Sequence, residues 1–501
     1  MPLLQKHSNP SRLLHVLIVI ITLWYVYIAI STYFANKYYA HDIGVIDYFF
    51  YNTWNGRFFY HIDSHSCFWD THFTPTLIAL VPLHWVFRSF LTIPIIETLA
   101  VLSGGWGVAW FTSGVLRRGR KNLATFPPLA LALGIMYTAN TLTGSVAFAY
   151  HYESLVLGLM IWTLAALANQ RWRLFWIFLV ATLGCKPDIA VYLATFGIWW
   201  ILFGWDSRKA LNVKKRISLG FSITLVSCLW FLLAVSVTGY IRHQQGTPGI
   251  PFSERYAANI GDSPLEFLYK FVTHPRAIFI LLEHMGSIVL PGVLLLPFLV
   301  PSTLILLLPA SFIMGFSSQE SMHELFYYYS YPFIPFAFLG TALAVRRLLY
   351  LTRHSQYKHQ LRPALTIFFL LVAAYQFTLP TQTDGRHRLP EKYTARQSWM
   401  REVIREVVPP NASVVAQFDM LCQVPHRKDI YLLSEENIHK AEYWVCDNQG
   451  FFGNVNGATY GRIMQEGNRL VSEGKAKILV NCNGLVILHH FSLPNVLPQE
   501  K

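Results

Sequence analysis

The sequence predicts a mainly α-helical, polytopic membrane protein that carries a small C-terminal α/β domain. Of its 501 residues, 53% are hydrophobic and only 13% are charged. The mean hydropathy of +0.36 lies above the range that soluble enzymes of this length show. Apolar runs long enough to cross a bilayer recur up to residue 380, and the composition then turns polar.

The first apolar run, residues 13–34, is an uncharged stretch of 22 residues. It can cross about 30 Å of hydrocarbon at 1.5 Å per residue. It is too long for a signal-peptide core and no small-residue cleavage site follows, so we expect the helix to be retained. Lys6 and Arg12 precede it and place the N-terminus in the cytoplasm.

The segment that follows, residues 35–93, is therefore an outer loop. Within it, residues 74–90 form a short apolar stretch broken by Pro75 and Pro82 and containing His84 and Arg88. A stretch of this kind is typical of a helix that lies in the membrane interface. We expect it to lie there rather than to span.

Ten further apolar runs bring the predicted number of spans to eleven. Basic residues between them collect in loops that all fall on one side, beginning with RRGRK at residues 117–121. The positive-inside rule assigns these loops to the cytoplasm and, with eleven spans, places the C-terminus outside the cell membrane. The same rule accounts for the net charge of +13, so no nucleic-acid partner is expected. The ten runs are 94–116, 122–142, 153–169, 172–185, 187–204, 217–240, 277–299, 300–316, 331–347 and 364–380.

Residues 381–501 alternate two predicted helices, 392–407 and 460–473, with five short β-rich segments. These segments are SVVAQ, IYLL, AEYWVCD, KILVN and LVILHH. The alternation predicts an extracytoplasmic α/β domain, separate from a transmembrane domain of residues 1–380. No glycine-rich phosphate loop follows a strand, so no chemistry is assigned to it. Cys422, Cys446 and Cys482 could pair in an exported domain, and the sequence leaves this open.

Ionisable residues outside the basic loops gather at the predicted outer ends of the spans. Brought together by the bundle, they would form one polar site beside a lipid-accessible wall, suited to an amphiphilic substrate. Solvated loop acids, helix caps and structural ion pairs are the alternatives, and the aromatic residues between 48 and 60 are also typical of an interfacial belt. The residues are Asp42, Asp47, Arg57, Asp63, Asp70, His72, His151, Glu153, Lys186, Asp188, Glu320, His323 and Glu324, with Tyr327 directly after them.

The order of several segments resembles a bacterial and archaeal membrane family known as domain-of-unknown-function 2079 (DUF2079). That family is in turn similar to the glycosyltransferase C (GT-C) superfamily of transferases that use polyprenyl-phosphate sugars. The segments are HDIGVIDYFFYNTWNGRFFY, DTHFTPTLIALVPLHWVF, AYHYESLVL, CKPDIAVYLATFG, GDSPLEFLYKFVTHP, YYYSYPFIPF and VPPNASVVAQ.

The resemblance implies roles for several residues. It implies a catalytic base early in the first outer loop, where Asp42 stands, with Asp47 as the second candidate. It also implies a divalent metal in some relatives, for which Asp42, His151 and Glu153 are the candidates here. Two departures stand out: Ile43 follows Asp42 where the superfamily has an Asp-Glu pair, and CKPD replaces the Lys-Glu-Asp of the family.

The chemistry that this implies is an inverting sugar transfer. A carboxylate removes the proton from the acceptor hydroxyl, and positive charge stabilises the departing lipid phosphate. Arg57, Lys186 and Arg255 are candidates for that charge. The predicted substrate-binding residues are Arg57, His72, His151, Glu153, Lys186, Asp188 and Tyr327, and Tyr48, Trp54 and Trp69 are candidates to stack on sugar rings.

A transporter or lipid flippase without transferase activity is the rival hypothesis. Intramembrane charges and proline-broken helices are typical of transporters too. Two repeated halves would favour that class, and the sequence contains none. A scaffold protein, in which the acids have no chemical role, is a third hypothesis.

Overall fold

The chain divides into two compact units. Unit 1 comprises Met1–Val26, Trp69–Leu77 and Glu97–Leu389, and unit 2 comprises Tyr27–Phe68, Ile78–Ile96 and Pro390–Lys501. The structure is a computed structural model. It describes residues 10–38, 43–62, 66–116, 127–204, 213–246, 293–323, 328–381, 388–450 and 455–491, and single positions between 266 and 286.

Helices dominate the chain up to residue 380. Short 3₁₀ segments precede two of them, Pro75–Leu80 before α3 and Pro301–Leu307 before α11. The α-helices described in full there are α1 (Pro10–Phe34), α2 (Val45–Trp54), α3 (Val81–Phe87), α4 (Thr92–Leu116), α5 (Pro128–Ala139), α6 (Thr141–Ala149), α7 (Ser154–Ala168), α8 (Trp172–Leu183), α9 (Ile189–Leu202), α10 (Val213–Gln244), α11 (Leu308–Gly315), α12 (Phe333–Leu351) and α13 (Lys358–Thr378).

Within the described residues, five helices are long and apolar enough to cross a membrane: α1, α4, α10, α12 and α13. The pair α5 and α6, bent by 53°, adds a sixth if it forms one span. Asn140 causes the bend, because its side chain accepts hydrogen bonds from the first amides of α6 and starts a new helix there.

The predicted count of eleven spans is not confirmed. Helices α7, α8 and α9 have only 15, 12 and 14 residues, because the turn at Gln170 and the turn at Lys186 and Pro187 interrupt the apolar sequence. The predicted run 300–316 is a 3₁₀ segment followed by α11. The run 277–299 lies largely outside the described residues.

Two features suit these helices to a bilayer. The long helices α10 and α13 leave large apolar side chains exposed, among them Leu232 and Leu371. Where helices pack together, glycines allow their backbones to approach closely. A Cβ atom at Gly158 of α7 would lie 2.1 Å from the carbonyl oxygen of Ala100 in α4.

The predicted interfacial helix is present as α3. It exposes Trp85, Val86 and Phe87 and buries the side chain of His84 on its other face. Such an amphipathic helix of seven residues is too short to span. Its placement in the membrane interface stays a prediction.

The C-terminal part of unit 2 is built as the sequence predicts. Each of the five β-rich segments coincides with a strand: β1 (Val414–Ala416), β2 (Ile430–Leu432), β3 (Tyr443–Asp447), β4 (Ala476–Cys482) and β5 (Leu485–His490). Helices α14 (Ala395–Val407) and α15 (Gly457–Ser472) correspond to the two predicted helices.

The strands form one mixed sheet in the order β2-β1-β3-β5-β4. Strands β2, β1 and β3 are parallel, while β5 pairs antiparallel with β3 and β4. Asn483 and Gly484, with φ of 48° and 83°, supply the positive angles that the tight β4–β5 turn requires. The core lies between the sheet and α15, around Trp444, Ile463 and Leu488. The six cysteines are free thiols, so no disulfide links Cys422, Cys446 and Cys482.

Candidate functional site

Asp47 lies in the first turn of α2 and is 2% exposed. A carboxylate is favourable in that position because the first backbone amides of a helix carry partial positive charge. Its neighbours along α2, from Val45 to Phe50, are also buried. An ionised carboxyl in such apolar surroundings is costly unless other groups compensate it.

Two histidines compensate Asp47. Its Oδ1 atom lies 2.9 Å from Nε2 of His84 and 3.1 Å from Nε2 of His426. His84 comes from α3 and is fully buried, whereas His426 comes from the segment between β1 and β2 and is partly exposed. We refer to Asp47, His84 and His426 as the Asp47 cluster.

Trp54 fixes the protonation of His84. The indole Nε1–H of Trp54 donates to Nδ1 of His84 over 3.2 Å. Because an indole nitrogen only donates, Nδ1 must be the accepting nitrogen and Nε2 must carry the ring proton. His84 is therefore a neutral donor to Asp47.

His426 is the charged partner. Burial acts to raise the pKa of Asp47, but the charge of His426 and the hydrogen bonds from both histidines outweigh it and hold this pKa below its usual value. Burial acts to lower the pKa of His426, and the charge of Asp47 outweighs it, so this pKa is raised. Asp47 and His426 thus form an ion pair, and Asp47 is a weak base.

The Asp47 cluster has the composition of a transition-metal site. One ligand atom from each residue lies within 4.8 Å of the others. A histidine that binds a metal normally donates its other ring N–H to an acceptor. His84 instead faces the N–H of Trp54, and its Nε2 carries a proton. The cluster in this hydrogen-bond arrangement does not fit a metal.

A second cluster lies in unit 1, at the N-terminal ends of α7, α9 and α12. The ammonium of Lys186 lies 2.7 Å from Oε1 of Glu153 and 3.7 Å from Oδ2 of Asp188. The hydroxyl of Tyr331 donates to Asp188 over 3.3 Å and lies 3.5 Å from the Lys186 ammonium. We refer to Glu153, Lys186, Asp188 and Tyr331 as the Lys186 cluster.

The Lys186 cluster has more carboxylate than it has positive charge. One ammonium faces two carboxylates. The Oε2 atom of Glu153 and the Oδ1 atom of Asp188 are buried without a hydrogen-bond partner in the described part of the chain. His72 and His151 lie beside it, with their rings 5.8 Å and 4.3 Å from that of Tyr152. Buried acceptors of this kind suit hydroxyl donors.

The structure thus divides the predicted site residues into two groups. Asp47 belongs to unit 2, and His72, His151, Glu153, Lys186 and Asp188 belong to unit 1. Arg57 is engaged by Asp429, at 2.9 Å, and by the carbonyl of Lys428. Glu153, one of the predicted metal ligands, already carries the Lys186 ion pair. Asp42, Asp63, Arg255, Glu324 and Tyr327 lie outside the described residues.

Sequence reasoning missed His84, His426 and Tyr331 as site residues, and assigned Trp54 to sugar stacking. His84 carried a signal, since it is the one ionisable residue in the otherwise apolar stretch VPLHWVF. His426 carried none, because it lies 379 positions from Asp47.

Residues 37–473 match the family model described as "Predicted membrane protein (DUF2079)". The chain belongs to this family. With its several apolar helices, it is a multi-pass membrane protein. A search of curated proteins gives no match.

Solved structures with a similar fold include two of ArnT from Cupriavidus metallidurans. The structure bound to undecaprenyl phosphate matches with a TM-score of 0.52 and 13% identity, and the apo structure with 0.53 and 12%. Each match covers 94% of this chain and 97% of the other. At this level of identity the two matches show a shared fold.

Proposed function

We propose that this protein is a membrane glycosyltransferase that moves a sugar from a polyprenyl-phosphate donor to an acceptor outside the cytoplasm. The observation that carries the proposal is the fold. Nearly the whole chain shares it with a protein whose structure holds undecaprenyl phosphate. The two buried polar clusters supply groups suited to such a substrate.

The reaction needs one base. The acceptor oxygen forms a bond to the anomeric carbon as its proton passes to a carboxylate, and the bond from that carbon to the phosphate oxygen breaks. We assign the base to Asp42. Asp47 suits the role less well, because a base works best when its pKa lies near the working pH and that of Asp47 is lowered. Asp47 acts as a positioning residue.

The Lys186 cluster is assigned to the sugar. Its ammonium is already compensated by two carboxylates, so Lys186 has little charge to offer a phosphate. The unpartnered buried oxygens of Glu153 and Asp188 can accept hydrogen bonds from sugar hydroxyls. His72 and His151 would border this sugar site.

The test is a transfer assay on the full chain in nanodiscs. Purified protein is incubated with undecaprenyl phosphate linked to each of several sugars, and released undecaprenyl phosphate is measured by mass spectrometry. Release above that of heat-treated protein, with the sugar recovered on an acceptor, supports a transferase. Buried charges in an apolar unit also occur in transporters, so donor translocation in liposomes without any release would favour the flippase instead.

A further inference from the structure

His426 has one engaged nitrogen and one that is not. Its Nε2 bonds to Asp47 over 3.1 Å, and its ring stacks on Tyr51 with centroids 5.7 Å apart and planes 11° from parallel. Its Nδ1 makes no hydrogen bond within the described part of the chain, and its side chain is 21% exposed. The ring is held in place, and its second nitrogen has no hydrogen-bond partner in the described part of the chain.

Arg88 is a second cation of unit 2, and its side chain is exposed. It follows α3, its guanidinium lies 5.1 Å from the ring centre of Trp54, and its Nε donates to the carbonyl of Trp85. Its side chain is exposed and forms no ion pair with any described carboxylate. Three arginines of the C-terminal domain differ in this respect: Arg396, Arg462 and Arg469 each pair with an acid.

The charges around Asp47 are unbalanced. The charges of Arg88 and Arg427 lower the pKa of His426, because they repel its protonated form. The charge of Asp47 raises this pKa. Arg427 is buried and donates to backbone carbonyls, so the cations that remain available are Arg88 and His426. Three cations face one carboxylate, and an anion would complete the site.

The backbone at both residues is unusual. Arg88 has a φ of 27° and His426 a φ of 59°, a region that side-chain-bearing residues rarely adopt. Strained positions of this kind concentrate at functional sites. Here the two residues with this backbone conformation, Arg88 and His426, are also the two available cations.

We propose that Arg88 and the Nδ1–H group of His426 bind the phosphate group of a membrane lipid, with Asp47 as the residue that holds His426 in position. Exposed Trp85, Val86 and Phe87 directly precede Arg88 and provide an apolar surface for the lipid chain. A guanidinium and an imidazolium together offer the charge-assisted donors that phosphate oxygens accept. The identity of the lipid as the polyprenyl-phosphate donor rests on the proposed function.

The experiment measures binding of undecaprenyl phosphate to the full chain in phosphatidylcholine nanodiscs by native mass spectrometry. Arg88→Gln and His426→Gln should each weaken binding about tenfold, the effect of one lost charge-assisted hydrogen bond. The matched controls Arg462→Gln and His439→Gln change an exposed paired arginine and an exposed histidine of unit 2. They should bind as the unchanged protein does.

Three further probes identify the source of the phosphate. Undecaprenol, which lacks the phosphate, should bind all variants equally. Phosphatidylglycerol and inorganic phosphate are added as competitors. If either displaces undecaprenyl phosphate at equal concentration, the phosphate site is supported, but it binds anions in general and is not selective for this lipid. Arg88→Lys, which keeps the charge, should recover part of the affinity. Recovery of affinity in Arg88→Lys would show that the weaker binding of Arg88→Gln comes from the lost charge and not from misfolding.

Undiminished binding of undecaprenyl phosphate to both Arg88→Gln and His426→Gln would overturn the proposal, whatever the transfer assay shows. Conversely, weaker binding of undecaprenyl phosphate by these variants, together with no sugar transfer by the unchanged protein, would support this phosphate site and contradict only the proposed function.

Discussion

The two buried clusters are opposite in charge. In the Asp47 cluster one carboxylate oxygen accepts from two imidazoles, and the neighbouring Arg88 and Arg427 add positive charge. In the Lys186 cluster one ammonium is shared by two carboxylates, and buried acceptors remain without a donor. The difference teaches that the two clusters lack opposite things: the first lacks an anion, and the second lacks hydrogen-bond donors.

The largest effect is expected from Lys186→Met. This change leaves two buried carboxylates without their cation, and removing one partner of a buried ion pair costs about 3–5 kcal/mol. Thermal unfolding in detergent measures the loss. Lys440→Met, which breaks an exposed pair with Glu436, is the matched control and should cost less than about 1 kcal/mol. Equal effects of the two changes would mean that the Lys186 cluster is not a coupled buried unit.

Asp47→Asn should act chiefly on the binding of undecaprenyl phosphate. It removes the charge that holds His426, so we expect the affinity for this lipid to fall about tenfold, from the loss of one charge-assisted contact, and turnover to fall with it. Turnover and the affinity for undecaprenyl phosphate are measured on the same preparation. A fall as large as that of Asp42→Asn would instead assign the base to Asp47.

The ion pair of Asp47 and His426 should give stability a pH dependence. The raised pKa of His426 contributes stability that is complete below its ordinary value of 6.5 and is lost as the pH rises through the folded value. The lowered pKa of Asp47 contributes stability that is present above 3.8 and is lost only as the pH falls through the folded value.

Unfolding between pH 5 and pH 9 checks this. The unchanged protein should lose on the order of 1 kcal/mol towards pH 9, and His426→Gln should show a flatter profile. Identical slopes in the two proteins would show that His426 is not an ionised partner of Asp47.

The smallest effect is expected from Trp54→Phe. Loss of one neutral hydrogen bond costs about 1 kcal/mol. It also frees Nδ1 of His84 to carry the ring proton, which would leave Nε2 open to a metal. Zinc bound per chain, measured by elemental analysis, should rise in this variant. One equivalent of zinc in the unchanged protein that is lost on His84→Ala would contradict the assigned tautomer.

Local sequence predicted much of the fold but only part of the site. Hydropathy located the helices because each helix buries apolar side chains in lipid or in the core, and the apolar character of a segment can be read from its own residues. The strands of the C-terminal domain were predicted from alternation and β-branched residues, and all five are present. The predicted span count is not confirmed, because turns such as the one at Lys186 and Pro187 shorten helices and mean hydropathy does not register such turns.

The site depends on distant pairs. Tyr331 reaches Asp188 across 143 positions, and His426 reaches Asp47 across 379. No local pattern encodes such a contact. The sequence could therefore name Asp47, Glu153 and Lys186 as candidates, and it could not show that Lys186 is compensated by two carboxylates or that Asp47 is held by histidines. The orientation of the chain in the membrane and the role of Asp42 stay predictions.

The most direct test of the central claim is the release of undecaprenyl phosphate by the Asp42→Asn variant. A glycosyltransferase whose base is Asp42 should lose about 10²–10⁴-fold in turnover, the usual contribution of a positioned base, and should still bind undecaprenyl phosphate as the unchanged protein does. Turnover that is unchanged in both Asp42→Asn and Asp47→Asn, or absent from the unchanged protein with every sugar donor tried, would contradict the account.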